Sequence, residues 1–358
     1  MTTKIVADDV QSILAEDVAW DRLAGRTVLV TGATGMVGQY VTRTLLELNK
    51  GADRPRVLAL TRQAARAQRL FGPYLDGGEL QLVSQDVADP IQVSGPVDVV
   101  VHAASPANPV TFRDDPVGVI RANVTGTQNV LDLAARTGAV VCLLSSLETY
   151  GRPEATAHGD VVLSEDDPGR VDSLDVRSAY PESKRLAENL CVAYGAQHGV
   201  GFRIARLSHT YGPGMDLSDS RVQAYLMRQA LNGESIELQS DGTLARTYTY
   251  VSDAVSALFY MLCSGSDITC NIANEQARVT IRELAETVLR HGGSAGATVR
   301  TTVPAGAGTS PGGVFLDCSR LRGLGWHARV DLDSGIARTI EHHRAENRSS
   351  EETAPCRK

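Results

Sequence analysis

Arg26-Thr-Val-Leu-Val-Thr-Gly-Ala-Thr-Gly-Met-Val-Gly38 is the stretch whose reading decides the fold. A short β-branched run, Thr27 to Thr31, is long enough for one buried strand and passes straight into Gly32, Gly35 and Gly38, spaced G-x-x-G-x-x-G. A helical pattern follows at once. At such a strand-to-helix turn, glycines let the chain reverse tightly, let backbone N–H groups approach a pyrophosphate, and let the helix lie close on the strand. Glycines alone also fit an ordinary tight turn; their place between strand and helix is what points to a dinucleotide.

Working outward, runs at 56–61, 80–84, 97–102, 139–145 and 202–207 have the same near-continuous apolar character. Helical patterns at 36–49, 62–71, 115–137 and 179–198 lie between them. Alternation of this kind predicts an α/β fold, a Rossmann doubly wound parallel sheet buried on both faces. From residue 208 the pattern changes to Gly/Pro/Asp-rich loops with short helices near 219–232, 251–264 and 280–291, the composition of a smaller C-terminal α+β substrate lobe. The expected organisation is a polar amphipathic N-terminal arm over 1–24 and a dinucleotide-binding domain over 25–207. A substrate lobe over 208–340 follows, with some segments returning to the Rossmann domain, and then a solvated polar tail over 341–358. The Gly-rich stretch Pro304 to Gly313 reads as a surface loop.

Composition narrows the function classes. The 358 residues are 42% hydrophobic and 22% charged, enough apolar material for a sizeable core. A net charge of −7, with no basic block, argues against a nucleic-acid partner. No apolar stretch approaches the 18 or so residues of a membrane span, and the acidic N-terminus does not resemble a signal peptide, so a cytoplasmic protein is expected. Cys142, Cys191, Cys263, Cys270, Cys318 and Cys356 are scattered without a Cys-x-x-Cys and read as reduced, mostly buried thiols. Apart from adjacent His342 and His343 in the polar tail, the histidines show no ligand spacing, and no metal is expected.

Tyr180-Pro-Glu-Ser-Lys184 puts a phenol and an ammonium four residues apart on one helical face. With four lysines and ten tyrosines in the chain, chance supplies only about 0.1 such pair. An ammonium beside the phenol is expected to lower its pKa toward neutrality, as a proton acceptor for a hydroxyl requires. Upstream, Leu144-Ser-Ser-Leu-Glu-Thr-Tyr-Gly151 ends a strand where open α/β sheets bind ligands, and Ser146 is placed to hydrogen-bond a reacting oxygen. The second strand ends Leu58-Ala-Leu-Thr-Arg62, without the usual acid for the ribose diol. Arg62 either faces a 2′-phosphate or is solvated. Asp86 either accepts from an adenine amino group or caps a turn.

Gly32/Gly35/Gly38, His102-Ala-Ala-Ser105, Asn123, Ser146 and Tyr180/Lys184 together resemble the extended short-chain dehydrogenase/reductases, in particular the nucleotide-sugar epimerases, dehydratases and decarboxylases of the NAD-dependent epimerase/dehydratase family. The likeness covers residues 25 to 340. UDP-glucuronate decarboxylase-like members are the nearest, on Ala104-Ser-Pro-Ala107, Ser146-Leu-Glu-Thr-Tyr-Gly151, Arg206-Leu-Ser-His-Thr-Tyr-Gly-Pro213, Asp219-Ser-Arg-Val222 and Arg246-Thr-Tyr-Thr-Tyr-Val-Ser-Asp253. The resemblance implies NAD, with NADP possible, held by Gly32, Thr34, Gly35, Met36, Val37 and Arg62, then Asp86, Val87, Ala103, Ala104, Tyr180 and Lys184. It implies Ser146, Glu148, Tyr180 and Lys184 as the catalytic set. Ser105, Ser146, His209, Arg221 and Arg246 would meet a nucleotide sugar, and a homodimer would form through the helices at 115–137 and 179–198.

Three departures stand out. No acid stands at Thr61/Arg62, His209 replaces the usual Asn, and Leu147 occupies the catalytic Asp position of dTDP-glucose 4,6-dehydratases. Glu148 discriminates most, because decarboxylases and several dehydratases carry a Glu there and most simple 4-epimerases carry no acid; a structural ion pair is its other reading. The expected chemistry is transient oxidation at C4, which turns a C6 carboxylate into a β-keto acid primed to lose carbon dioxide. An epimerase or 4,6-dehydratase, an NADPH-dependent carbonyl reductase and a non-catalytic cofactor-binding protein are the alternatives.

Overall fold

The computed structural model describes residues 3–48, 53–153, 159–303 and 312–352. In chain order the helices are α1 Lys4–Leu14, α2 Met36–Glu47, α3 Ala64–Asp76, α4 Pro109–Asp114, α5 Pro116–Ile120, α6 Gly126–Thr137, α7 Ala179–His198, α8 Val222–Leu231, α9 Val251–Leu262, α10 Ile281–Gly292, α11 Ser319–Arg322 and α12 Leu332–Glu352. The strands are β1 Thr27–Thr31, β2 Arg56–Thr61, β3 Leu80–Ser84, β4 Val99–His102, β5 Val140–Ser146, β6 Val161–Leu163, β7 Phe202–Leu207, β8 His209–Tyr211, β9 Ile236–Leu238, β10 Ala245–Tyr250, β11 Ile268–Ile272, β12 Arg278–Thr280, β13 Val299–Thr301 and β14 Val314–Leu316.

Seven of these strands form one parallel sheet in the order β11-β7-β5-β4-β1-β2-β3. Every residue of β1 is buried, as a strand covered by helices on both faces must be. The chain order reverses between β1 and β4, and their C-terminal ends pair Thr31 with His102. That reversal opens the crevice in which this architecture binds ligands. The seventh strand, β11, comes from the C-terminal half and closes the β7 edge. The three-stranded β12-β10-β8 sheet lies beyond, and Ser208 alone separates the end of β7 from the start of β8.

Two terminal segments differ from the sequence expectation. Residues 4–14, read as an arm outside the fold, are helix α1, whose Val6, Asp9, Val10 and Ile13 are buried. Asp9 explains the attachment. Its carboxylate is fully buried and accepts from Tyr40 of α2 at 2.7 Å, Tyr250 of β10 at 2.8 Å and Arg338 of α12 at 3.0 Å. One acid therefore joins the Rossmann layer to the C-terminal half. The tail read as solvated from 341 instead continues α12 to Glu352, with His342 and His343 buried. A periodic helix carrying acids and histidines looks polar in sequence; only its docked face tells otherwise.

The helical stretch at 115–137 is likewise divided. Pro116 opens α5 with Asp115 capping the Gly118 N–H, and Arg121–Thr125 forms a π-helical turn before α6. Pro304 to Pro311 lie outside the described residues, as does Cys356; the other five cysteines are free and buried. Among the described residues no helix is long and apolar enough to cross a membrane.

Asp9→Ala strips three donors of a shared buried acceptor, two of them phenols in the core. It should lower unfolding free energy by about 2–4 kcal/mol, read from urea denaturation; a change below about 0.5 kcal/mol, the range of neutral surface substitutions, would show that α1 is not anchored there.

Candidate active site

The glycine turn is built for close approach. Gly32 sits at φ +65°, and a Cβ there would lie 2.7 Å from the Ala104 nitrogen and 2.8 Å from the Ala103 carbonyl. A Cβ on Gly38 would lie 2.2 Å from the Gly32 oxygen. Gly35 caps α2 in extended conformation, and Met36 and Val37 begin the helix, so its free N–H groups face the crevice. Thr34 is buried and shares a 2.9 Å hydroxyl contact with Thr61 at the end of β2. A bare backbone cradle at a helix N-terminus beside Ala103 and Ala104 fits a dinucleotide pyrophosphate.

At the adenosine end Arg62 pairs with Asp86 at 3.1 Å, and Asp86 also accepts from the Ala88 N–H at 2.9 Å. The Ala88 hydrogen bond is the main reason that the Asp86 carboxyl lies below its ordinary range, with Arg62 adding to it. Asp86 thus caps its turn and also holds Arg62. Val87 packs against Gly126, where a Cβ would come within 2.9 Å of Val87.

A chain of buried polar contacts runs from the glycine turn to the Tyr/Lys helix. Thr31 Oγ1 accepts from the Ala104 N–H at 3.2 Å and contacts His102 Nδ1 at 2.7 Å; His102 Nε2 meets Thr127 at 3.1 Å. Burial holds His102 neutral, its pKa lowered to about 3. Asn123, inside the π-helical turn, accepts from Ser105 at 2.7 Å and donates to Ser183 at 2.9 Å. Ser183 donates to the Tyr180 carbonyl at 2.9 Å. The π turn offsets Asn123 from the α-helical register and puts its amide between α7 and the Ser105 loop.

Tyr180 and Lys184 are both buried on α7, and Lys184 Nζ donates to the Leu144 carbonyl at 2.7 Å. Here the structure corrects an expectation. Burial pushes the Tyr180 phenol up to about 12, and the same burial lowers Lys184 to about 8. Hydrogen bonding by Ser146 and Ser105 and the charge of Arg221 work to lower the phenol, whereas the Glu148 carboxylate raises it. Lys184 Nζ stands 6.0 Å from the Tyr180 ring centre. Phe112 stacks on the phenol at 4.3 Å and 13°.

Ser146 ends β5 and caps the 3₁₀ turn Leu147–Tyr150 that carries Glu148, its Oγ accepting the Glu148 N–H at 3.2 Å. This cap aims the half-buried Glu148 toward Tyr180. Across the crevice Arg246 of β10 donates to His209 Nε2 of β8 at 3.1 Å, which puts the remaining ring proton on Nδ1. His209 is held neutral, its pKa lowered to about 3 by burial and then by Arg246 and Arg221. Arg221 caps α8 and makes a two-point contact with buried Asp219, at 2.7 and 2.9 Å.

The sequence reading missed Phe112 and the linking role of Asn123 and Thr127. It also missed Tyr248, two residues from Arg246, and Gln223, two from Arg221. The Tyr248 hydroxyl and Gln223 Nε2 are buried without a hydrogen-bond partner among the described residues, a state that buried polar groups rarely keep unless a ligand or water meets them. Position beside the two arginines was the one available signal.

The profile of the NAD dependent epimerase/dehydratase family matches residues 28–273. UDP-glucuronic acid decarboxylase 6 of Arabidopsis thaliana is 36% identical over 261 residues, 73% of this chain and 73% of the relative. UDP-glucuronic acid decarboxylase 1 of Xenopus tropicalis is 32% identical over 322 residues, 90% of this chain and 73% of the relative. The solved UDP-glucuronic acid 4-epimerase of Bacillus cereus, in complex with NAD, superposes with a TM-score of 0.71 at 20% identity, covering 90% of this chain and 98% of its own, and shares the fold.

Gly32→Ala should weaken NAD binding at least tenfold in calorimetry, because it adds left-handed strain to a collision with the Ala103–Ala104 backbone; unaltered affinity would show that the turn is not the pyrophosphate cradle. With the cradle, the buried Tyr/Lys pair and the family profile in agreement, the chain belongs to the NAD-dependent epimerase/dehydratase family.

Proposed function

We propose that the protein is a UDP-glucuronate decarboxylase-like enzyme that holds NAD throughout its cycle. The observation that carries this reading is Glu148, capped by Ser146 and close enough for its charge to act on the Tyr180 phenol. The relatives named above, which are UDP-glucuronic acid decarboxylases, support the same choice. When bound, NAD accepts a hydride from sugar C4 and returns one after the carbon chemistry.

The protein's own groups do the rest. Tyr180 takes the proton of the C4 hydroxyl, while Ser146 donates to the same oxygen and fixes its direction. Lys184, held on the Leu144 carbonyl, orients the nicotinamide ribose and supplies positive charge below the phenol. Once C4 is a ketone, the electron pair of the C5–C6 bond moves into the enolate as carbon dioxide leaves. Ser146 and the protonated Tyr180 stabilise that oxygen. The enolate then takes a proton from water at C5, relayed through Glu148. Arg246 and Arg221 engage carboxylate and diphosphate, and neutral His209, with its proton on Nδ1, offers a directional donor where the decarboxylases carry an amide.

NAD is favoured over NADP because Arg62 is already engaged by Asp86, so a 2′-phosphate would have to displace that pair. A homodimer through α5 and α7 is supported by exposed Val117, Ile120, Leu186 and Val192 on those helices. We place the division between dinucleotide-binding domain and substrate lobe after residue 207 and the protein in the cytoplasm.

Incubation with UDP-glucuronate should yield a product that has lost carbon dioxide by mass spectrometry; a product of unchanged mass would make the protein an epimerase. Tyr180→Phe should abolish turnover with NAD affinity retained. Glu148→Gln should slow carbon dioxide release about 10²-fold or more, and unchanged kinetics would leave Glu148 a structural residue. Light scattering at micromolar concentration should report a dimer, and extraction of the purified protein should release NAD.

A further inference from the structure

The second half of α12 carries adjacent His342 and His343 and, about one helical turn on, Glu346, and one ligand atom from each lies within 4.8 Å of the others. His342 Nε2 is 3.3 Å and His343 Nδ1 is 3.7 Å from the same Glu346 carboxylate oxygen. Donor atoms around a four-coordinate zinc with bonds of about 2.0–2.1 Å stand about 3.3 Å apart, so a small side-chain adjustment closes this set on one ion. The two imidazoles are more than nine-tenths buried; His342 Nε2 faces only the Glu346 carboxylate, and His343 Nε2 lacks a hydrogen-bond partner among the described residues. His342 Nδ1 is fixed at 2.8 Å by Thr3 Oγ1, the cap of α1, as outer-sphere groups fix metal-bound histidines.

The surroundings allow an ion to enter and keep a fourth ligand. Glu346 is half exposed, which leaves a path from solvent. His342 and Glu346 also border a cavity of about 110 Å³, shared with Gln39, Arg43 and Arg66, large enough for a water. Arg43 and Arg66 oppose the charge of any cation here and so favour an anionic fourth ligand on a bound ion.

We propose that His342, His343 and Glu346 form a zinc-class metal site, outside the nucleotide crevice, that clamps the C-terminal helix against the start of α1. The pair of imidazoles selects a borderline-soft transition ion over magnesium or calcium. An ion here would tie α12 to the residue that caps α1, close to α2, and so stabilise the docking of both chain ends. This proposal is independent of the reaction assigned above.

The test uses tag-free full-length protein stripped with chelator and then titrated with zinc under a chromogenic competitor. One zinc per chain is expected, with no comparable response to magnesium. Its addition at about 100 µM should raise the melting temperature by about 3 °C or more. Cobalt substitution should give d–d absorption without a thiolate charge-transfer band, which separates this site from the buried cysteines. His343→Asn and exposed-surface Glu346→Gln should each weaken zinc at least tenfold. Absence of stoichiometric zinc, a thiolate band with cobalt, or full zinc affinity in Glu346→Gln would overturn the assignment and leave a His342–Glu346 ion pair.

Discussion

No Cβ fits between the end of β1 and the end of β4, and the crevice is organised around that constraint. Gly32 comes so near the Ala103–Ala104 backbone that the glycine turn and the β4 loop behave as one surface. Thr31 locks them by reaching both the Ala104 N–H and His102. From His102 the contacts continue through Thr127 to the Asn123 carbonyl, and the Asn123 side chain meets Ser105 and Ser183. All of these groups are neutral and most are fully buried, so losing any one leaves partners whose desolvation is uncompensated. The cofactor cradle and the helix bearing Tyr180 are thus held in register by hydrogen bonds rather than by apolar packing alone.

What could be read from the sequence follows from how local each signal is. Five of the first six sheet strands, β1, β2, β4, β5 and β7, are short apolar runs buried on both faces, and edge strand β3 buries Leu80 and Val83 while exposing Gln81 and Ser84, so composition identifies them all. β11, Ile-Thr-Cys-Asn-Ile, is just as buried at its end, but it arrives after two hundred residues and its Asn271 accepts from Tyr150 and donates to carbonyls in the core. That polar use of a strand has no local signature. Tyr180/Lys184 was legible because four-residue spacing on a helix is itself geometry. Asn123 was visible as part of a motif, while its role depends on a π turn that no residue in Arg121–Thr125 announces.

The chain termini failed for a related reason. Asp9 looks like a solvent-facing residue of an amphipathic arm, yet its partners Tyr40, Tyr250 and Arg338 lie 31, 241 and 329 positions away. Glu16 repeats the pattern by pairing with Arg329 and accepting from Tyr260. Sequence reading treats a charge as a preference for water; here each charge is a tether whose second half is distant in the chain. The composition of α12 was misleading in the same way, since its buried stripe includes histidines and Thr339 among the acids.

Tyr180 and Lys184 move in opposite directions for one reason: both are enclosed, and enclosure disfavours a phenolate as much as an ammonium. At pH 7 the pair therefore rests as phenol and largely protonated amine. Making the phenolate requires positive charge close by, and the protein offers Lys184 below the ring and Arg221, itself held by Asp219. Glu148 opposes it. A phenolate and the Glu148 carboxylate are costly together, so a proton arriving at Tyr180 relieves the repulsion that the carboxylate creates. In the reaction proposed above, proton uptake by Tyr180 would be favoured by the same carboxylate that would relay a proton to C5 afterwards, which would give the two groups an order of action without any movement of the backbone.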